Sequence, residues 1–388
     1  MIRHEYEYVV VGLGGIGSAA TYWLARGGAH VVGVEQFAIG HDQGASQDHS
    51  RIIRLSYHTP GYVALAAQAF ETWADVEHEL GESLILCTGG LDLWPRHAAI
   101  PMSDYTESLT HLDVPFDILD AADVMREWPQ FTLSDDVVGL WQARGGIVAA
   151  ARCNDAHLRL AQAHGATVLE RHKVTSLTTN DDCIDVNGDD FTLRCRRVIV
   201  AADAWTNDVL RHLRCNLPLT ITQEQVTYFA PARLEEFAPE RFPVWIWMDD
   251  PSFYGVPVFG EPGIKVGQDV GGRTVEACGR TFDVDRKALA RVTSFLERCI
   301  PSALGSILYT KPCLYAMPPD RDLIVGELPD RPGVIVLQGA AHGFKFASLL
   351  GKIATELVMQ DRTAYDIRSF SVERPALREP HEAGSFLI

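Results

Sequence analysis

Two groups of residues have the types and spacing to do chemistry. Gly12, Gly14 and Gly17 fill a G-x-G-x-x-G pattern, with Gly15 and Ile16 inside it. Gly12 permits a sharp turn, Gly14 has no side chain to hold a pyrophosphate off the backbone, and Gly17 lets a helix sit close on a sheet. Glu35 lies about 20 residues further on, where a carboxylate accepts hydrogen bonds from a ribose diol. That acid argues against a cofactor with a 2′-phosphate, which it would repel. The second group is the cation pair Arg51 and Arg54 in SRIIR. A spacing of three predicts one face of a helix. Two cations beside apolar isoleucines are costly unless an anion or dipole meets them. The bland alternative is surface salt bridging.

The elements that must position these residues are legible around them. Tyr8–Val11 is a short apolar, β-branched run, the pattern of a buried parallel strand. A helix from Gly15 to about Arg26 would aim its free N–H groups at phosphates, and a second strand, His30–Val34, ends at Glu35. Strand, glycine turn, helix, strand and acid together predict a dinucleotide site, without distinguishing NAD from FAD. Near the other end, the strand Val334–Gln338 runs into QGAAHGFKFA and a helix from about Phe346 to Met359. This makes a second helix N-terminus aimed at the ligand.

Composition narrows the partners. With 388 residues the chain predicts two connected domains, and 47% hydrophobic residues suffice for a large interior. A net charge of −17 makes a nucleic-acid groove or an anionic membrane surface unsuitable, so an anionic ligand must be met by a few local cations. No apolar run approaches a membrane span. The first strand leaves no room for a signal peptide, and the terminal Ser385-Phe386-Leu387-Ile388 is not an S-K-L address. Eight scattered cysteines without paired spacing read as reduced cytosolic thiols, which predicts a cytoplasmic protein. His41, Asp42, Asp48 and His49 share a polar loop, Gln36–Ser50, but fit no standard metal frame, so no metal is expected.

In chain order, Pro60–Leu80 is predicted helical, with Leu65, Ala69, Trp73 and Val76 on one face. Leu84–Trp94 reads as strands around a Gly89-Gly90 turn, and Val137–Trp141 as a strand. Asn154–His164 reads as helix and Ala166–Leu169 and Lys173–Thr179 as strands. Cys183–Val186 with Phe191–Leu193 reads as a small hairpin, and RVIVAADAW, Arg197–Trp205, as a separate buried strand and turn. Leu217–Ala230, Val244–Met248, Phe253–Val258 and Gly263–Gly267 are strand candidates, Asp285–Ile300 an amphipathic helix, and Ile307–Met317 and Leu323–Gly326 strands. Such a run of strands after βαβ units predicts a second, antiparallel sheet. The expected fold class is thus α/β, a Rossmann-type FAD-binding domain with a largely antiparallel substrate domain. The expected boundaries are 1–82, 145–215 and 318–388 for the first and 83–144 and 216–317 for the second.

GLGGIG, SRIIR, RVIVAADAWTNDVL, GIKVGQD, KPCLY and AHGFKF occur in that order. Together they resemble the monomeric sarcosine oxidase and N-methyltryptophan oxidase family of FAD amine oxidases over nearly the whole chain. The resemblance implies FAD held covalently through a thioether on Cys313. It implies a Lys265 that promotes reaction with oxygen; a lysine between Ile264 and Val266 is otherwise hard to explain, since it would be buried unpaired. Arg54 and Lys345 match the pair that holds the substrate carboxylate, and Arg51 an arginine near the flavin ring. Tyr254 and Tyr315 resemble cavity walls, for which core packing is the alternative. Further cofactor contacts are implied at Gln36, Ser46, Ser50, Ile52, Val174, Ala201, Trp205, Met317, His342, Gly343 and Phe344. Catalytic candidates are Lys265, Arg51, Tyr254 and Asp269.

Two positions depart from the family. Asp269 stands where histidine is frequent and predicts an altered field around the amine that would favour a different or additional cationic group. Asp203 stands where glycine is usual, which puts close contact with the cofactor in question. The implied reaction takes a neutral secondary amine, N-methyl or cyclic, through hydride transfer to flavin N5, to an imine that water hydrolyses, with O₂ reduced to H₂O₂. Rival readings are an oxidase of fructosyl or other modified amino acids, suggested by Asp269, a flavin dehydrogenase without oxidase activity, and a redox-inactive flavin-binding protein. The expected partners are a small amino acid and O₂, on a monomer.

Overall fold

The computed structural model describes residues 2–180 and 182–378; the terminal Ser385–Ile388 lies outside the described residues. An eight-stranded sheet carries the dinucleotide motif. Ile2–Val11 lies at its centre, parallel to both Val31–Val34 and Phe191–Val200, and Val334–Gln338 lies parallel beyond the latter. Its residues alternate between two cores: Tyr8 and Val10 pack under the helices, Val9 and Val11 against the opposite layer. Gly15–Arg26, Pro60–Leu80, Ala150–Ala163 and Ala347–Gln360 form the helical layer.

The predicted hairpin forms, Ile184–Gly188 pairing antiparallel with the next strand, but its second strand and the predicted buried strand are one continuous element, Phe191–Val200. Its three arginines interrupt the apolar run without breaking it, because Arg196 is exposed and the other two are satisfied. Arg194 makes a bidentate pair with Asp185, and Arg197 donates to Leu357 O and Val358 O, end carbonyls of the helix Ala347–Gln360.

A second sheet of nine strands is largely antiparallel, as expected; Gly90–Trp94 against Val244–Trp247 is a parallel exception. The helix Arg286–Cys299 covers it, started by Asp285, whose carboxylate accepts from Lys287 N and Ala288 N. Phe295 of that helix stacks on Trp245 and Phe253. A third sheet joins Arg51–Ile53, Gly146–Val148 and Ile85–Cys87. The Gly89-Gly90 turn therefore does not close a hairpin: Ile85–Cys87 pairs with Gly146–Val148, and Gly90–Trp94 with Val138–Gln142.

The helix expected at SRIIR is a strand. Ile52 and Ile53 are β-branched and pair antiparallel with Gly146–Val148, whose other edge takes Ile85–Cys87 so closely that a Cβ on Gly146 would stand 2.1 Å from Leu86 O. No helix among the described residues is long and apolar enough to cross a membrane, and among them no cluster of His, Cys, Asp and Glu could hold a metal ion.

Candidate active site

Two cavities adjoin through a shared wall of Gly14, Ala45, Ser46, Gln47, Asp48, Ala201 and Asp203. The first runs along the dinucleotide motif and is lined also by Gly12, Glu35, Gln36, Val174 and Trp205. Gly12 has φ +90, and a Cβ on Gly17 would stand 1.7 Å from Gly12 O, so this turn and the helix after it admit no side chain. A Cβ on Gly14 or Gly15 would meet Ser46 Oγ at 2.9 Å or the Phe344 ring at 2.7 Å. Gly15 N donates to Ser46 Oγ at 2.8 Å, so that hydroxyl marks where the helix N-terminus would receive an anion. Glu35 accepts from Leu13 N and Phe37 N. Burial raises its proton affinity, but His41 and those amides outweigh this and hold the carboxyl below its usual range.

The second cavity lies between the large sheets. It is lined by Ile16, Arg51, Ile52, Arg54, Tyr254, Lys265, Asp269, Cys313, Tyr315, His342, Gly343, Phe344 and Lys345. Strand periodicity explains Lys265: Ile264 and Val266 turn into the core under Phe295, and Lys265 turns to the cavity. It is not unpaired. Its Nζ lies 2.7 Å from Asp48 Oδ2 and donates to Ser50 O and Ser50 Oγ at 2.7 and 3.2 Å. Burial pulls its pKa down to about 8, against the pull of Asp48.

Arg51 and Arg54 reach the cavity at different places, because the strand ends at Ile53. Arg51 donates to the carbonyls of Ala45, Gln47 and Ser50, and its guanidinium lies 5.7 Å from the Phe344 ring centre. Arg54 is buried and pairs with Asp92 at 2.8 Å; Ser56 also donates to that carboxylate. Lys345 sits over the Tyr57 ring at 5.6 Å, its pKa pulled down to about 7 by burial and by Arg54. Cys313 is half-buried, its thiol pushed up to about 11 by burial, with Arg51 pulling the other way.

The cation that Asp269 favours is supplied by the chain itself: Arg321 makes a two-pronged pair with it, at 3.0 and 3.3 Å. The Asp203 departure also has a backbone reading. Its φ is +46, a left-handed conformation that glycine takes freely. Its carboxyl is pushed up to about 7 by burial, which lessens the negative charge it presents to the shared wall.

Ser50 and Met317 line neither cavity. Ser50 serves Lys265, and Met317 pairs with Thr220 in the second sheet. Sequence reasoning missed Asp48, Asp92, Arg321 and Glu224. Asp92 had a signal, an acid between Leu91 and Leu93 in an apolar strand. Arg321 had none, since it occupies an irregular left-handed turn, φ +57.

A groove leading from the buried carboxylate of Glu35 to a cation-rich chamber fits a flavin dinucleotide. Gln47 Oε1, Asp203 Oδ2 and His342 Nε2, all on its walls, are buried without a protein partner. Fold and site thus define a flavin-type oxidoreductase. Residues 7–357 match the family model described as FAD dependent oxidoreductase, and the chain belongs to that family.

Among curated proteins the chain is 32% identical over 386 residues to a monomeric sarcosine oxidase of Streptomyces avermitilis, covering 96% of this chain and 98% of that one. It is 27% identical over 377 residues to an N-methyl-L-tryptophan oxidase of Yersinia pestis, covering 95% and 99%. Among solved structures it is similar to NikD, an unusual amino acid oxidase essential for nikkomycin biosynthesis, with TM-score 0.84 at 26% identity over 95% of this chain and 97% of that one. An L-proline dehydrogenase from P. horikoshii shares the fold, with TM-score 0.83 at 21% identity, covering 95% and 97%.

Proposed function

We propose that the protein is an FAD-dependent oxidase of a small secondary amino acid, N-methyl or cyclic, acting as a monomer, with O₂ as acceptor. The convergence of Lys265, Cys313, Arg54 and Lys345 on one chamber beside the dinucleotide groove supports this reading. The oxidase names of the full-length relatives agree with it.

When bound, the flavin supplies a two-electron acceptor for amine oxidation that O₂ can regenerate. The dinucleotide groove holds its nucleotide end, and Cys313 offers a thioether link. Lys345, with the Arg54–Asp92 pair behind it, receives the substrate carboxylate. Tyr254 and Tyr315 wall the amine, and burial raises both phenols, so they stay neutral hydrogen-bonding groups.

No strong base is needed if the chamber takes the amine neutral, and two of the acids that line it are already committed. Asp269 is clamped by Arg321, and Glu224 accepts from Thr222 Oγ1 and Gly272 N. The clamp also removes the reason for preferring a cationic or sugar-linked substrate. The Lys265 ammonium provides a fixed positive charge for developing superoxide.

The test is a panel of sarcosine, N-methyltryptophan, proline, pipecolate and fructosyl-glycine in an oxygen electrode, with H₂O₂ assayed. Uptake with a secondary amino acid is expected, and no H₂O₂ with any amine sinks the reading. Acid precipitation should leave a yellow pellet and a colourless supernatant. Cys313→Ala should release the colour.

A further inference from the structure

The loop before Arg51 delivers one acid into the wall of the cation-rich chamber. Asp48 is 7% exposed, and its backbone is left-handed at φ +90, a strained conformation for a residue other than glycine. Its two oxygens are divided. Oδ1 accepts from Tyr228 Oη at 2.7 Å, and Oδ2 faces Lys265 Nζ at 2.7 Å and Arg51 at 3.9 Å. Tyr228 belongs to the strand that pairs with the lysine's own and stands opposite Lys265 in register. Two neighbouring elements therefore hold one carboxylate against one ammonium.

We propose that Asp48 is a positioning residue that holds Lys265 both in place and in its charged form. This rests on the reading of Lys265 as the oxygen-facing cation. The physical argument is charge balance. Arg51 stays protonated at any relevant pH, and three of its five N–H donors are spent on the carbonyls of Ala45, Gln47 and Ser50. Without Asp48, Lys265 would be a second buried cation beside Arg51, and shedding its proton is the cheapest escape.

The charged or titratable groups that act on the lysine are Asp48 and Arg51 from the loop and the strand after it, and Cys313 from the strand Gly305–Met317. Tyr228 acts through Asp48, and its phenol, raised by burial and by that carboxylate, stays neutral. Burial raises the proton affinity of Asp48, but Lys265 and Arg51 outweigh this and keep it ionised well below the usual carboxylate range. The pair thus keeps its anion throughout the neutral range, and Lys265 is the member whose proton is at stake.

The chain has only six lysines, so ε-¹³C-lysine labelling gives a tractable NMR titration of the flavin-loaded protein. Wild-type Lys265 should titrate near 8, the value that burial and Asp48 together set. In Asp48→Asn the midpoint should fall by about one unit or more. Flavin reoxidation followed by stopped flow should then slow about fivefold or more at pH 8 and recover near pH 6. Asp48→Glu, which keeps the charge, should retain the wild-type midpoint. If Asp48→Asn does not fold, Asp48→Ser serves in its place.

An unchanged Lys265 midpoint on loss of the carboxylate overturns the proposal. So does an equal shift in the glutamate variant, which would assign the effect to geometry. A Lys265→Met protein that reoxidises as fast as wild type overturns the oxygen role instead, and leaves the NMR shift to be judged separately.

Discussion

Lys345 differs from the other cations around it. Arg54 has Asp92 and Arg321 has Asp269, but among the described residues no acid makes an ion pair with Lys345. Its pKa is pulled down to about 7 by burial and by Arg54, so it is the cation most ready to accept a carboxylate. The sign of the pH dependence follows. The ammonium binds the carboxylate and the neutral amine does not, so affinity is full below about 7 and is lost as pH rises. A carboxylate inhibitor titrated against the flavin spectrum should weaken by up to tenfold per pH unit above that point. Lys345→Arg should flatten this limb. Lys345→Met should remove it and weaken binding about 10- to 100-fold at pH 6.5, the worth of one charge-assisted hydrogen bond. A flat wild-type profile from pH 6 to 9 would exclude Lys345 from the carboxylate site. At this scale the sequence carried the cations and not their counter-ions. Arg51, Arg54, Lys265 and Lys345 sit in recognisable stretches, whereas Asp48 and Arg321 occupy left-handed loop positions whose partners are brought up from far along the chain.

Elements were more legible than contacts, because local periodicity encodes them. Gly15–Arg26 and Pro60–Leu80 have the predicted bounds, and the second sheet is largely antiparallel as alternation predicts. Where reading failed, a distant partner had decided. Arg51–Ile53 is a strand only because Gly146–Val148 lies beside it, and Phe191–Val200 is unbroken because Asp185 and a helix end absorb two of its arginines. The same holds for helix packing. Gly351, in the helix Ala347–Gln360, lies against the first helix, and a Cβ there would stand 2.6 Å from Ala19 C and Ala20 N, both backbone atoms. Nothing local distinguishes it from a tolerated helix glycine. Although alanine is the better helix former, Gly351→Ala should destabilise the protein by about 1–3 kcal/mol, because the first helix must move off the dinucleotide turn. The readout is a lower denaturant midpoint with weaker retention of FAD in a Cys313→Ala background. A neutral or stabilising effect would mean that the two helices can separate without disturbing the turn.

On the scale of the whole molecule, acid should unfold this protein through a histidine far from the chamber. His157 is fully buried where three helices of the dinucleotide half meet, stacked between Tyr22 at 5.6 Å and Trp73 at 5.1 Å. Neither ring nitrogen has a hydrogen-bond partner, and burial pulls its pKa down to about 3. Above about 6.5 the ring is neutral in both folded and unfolded chains, and pH has no leverage through it. Below that, the unfolded chain takes up a proton that the folded one refuses. Stability is therefore lost as pH falls from about 6.5 toward the folded value, at up to about 1.4 kcal/mol per unit. Other buried groups add to the acid limb, so the difference between wild type and a variant isolates this one. His157→Phe keeps an aromatic ring in the stack and removes two unsatisfied nitrogens. Its stability at pH 7 should be close to that of wild type, and its margin over wild type should widen steadily from pH 6 to pH 4 in urea titrations. Parallel stability curves for the two proteins over that range would show that the ring finds its proton in the folded state.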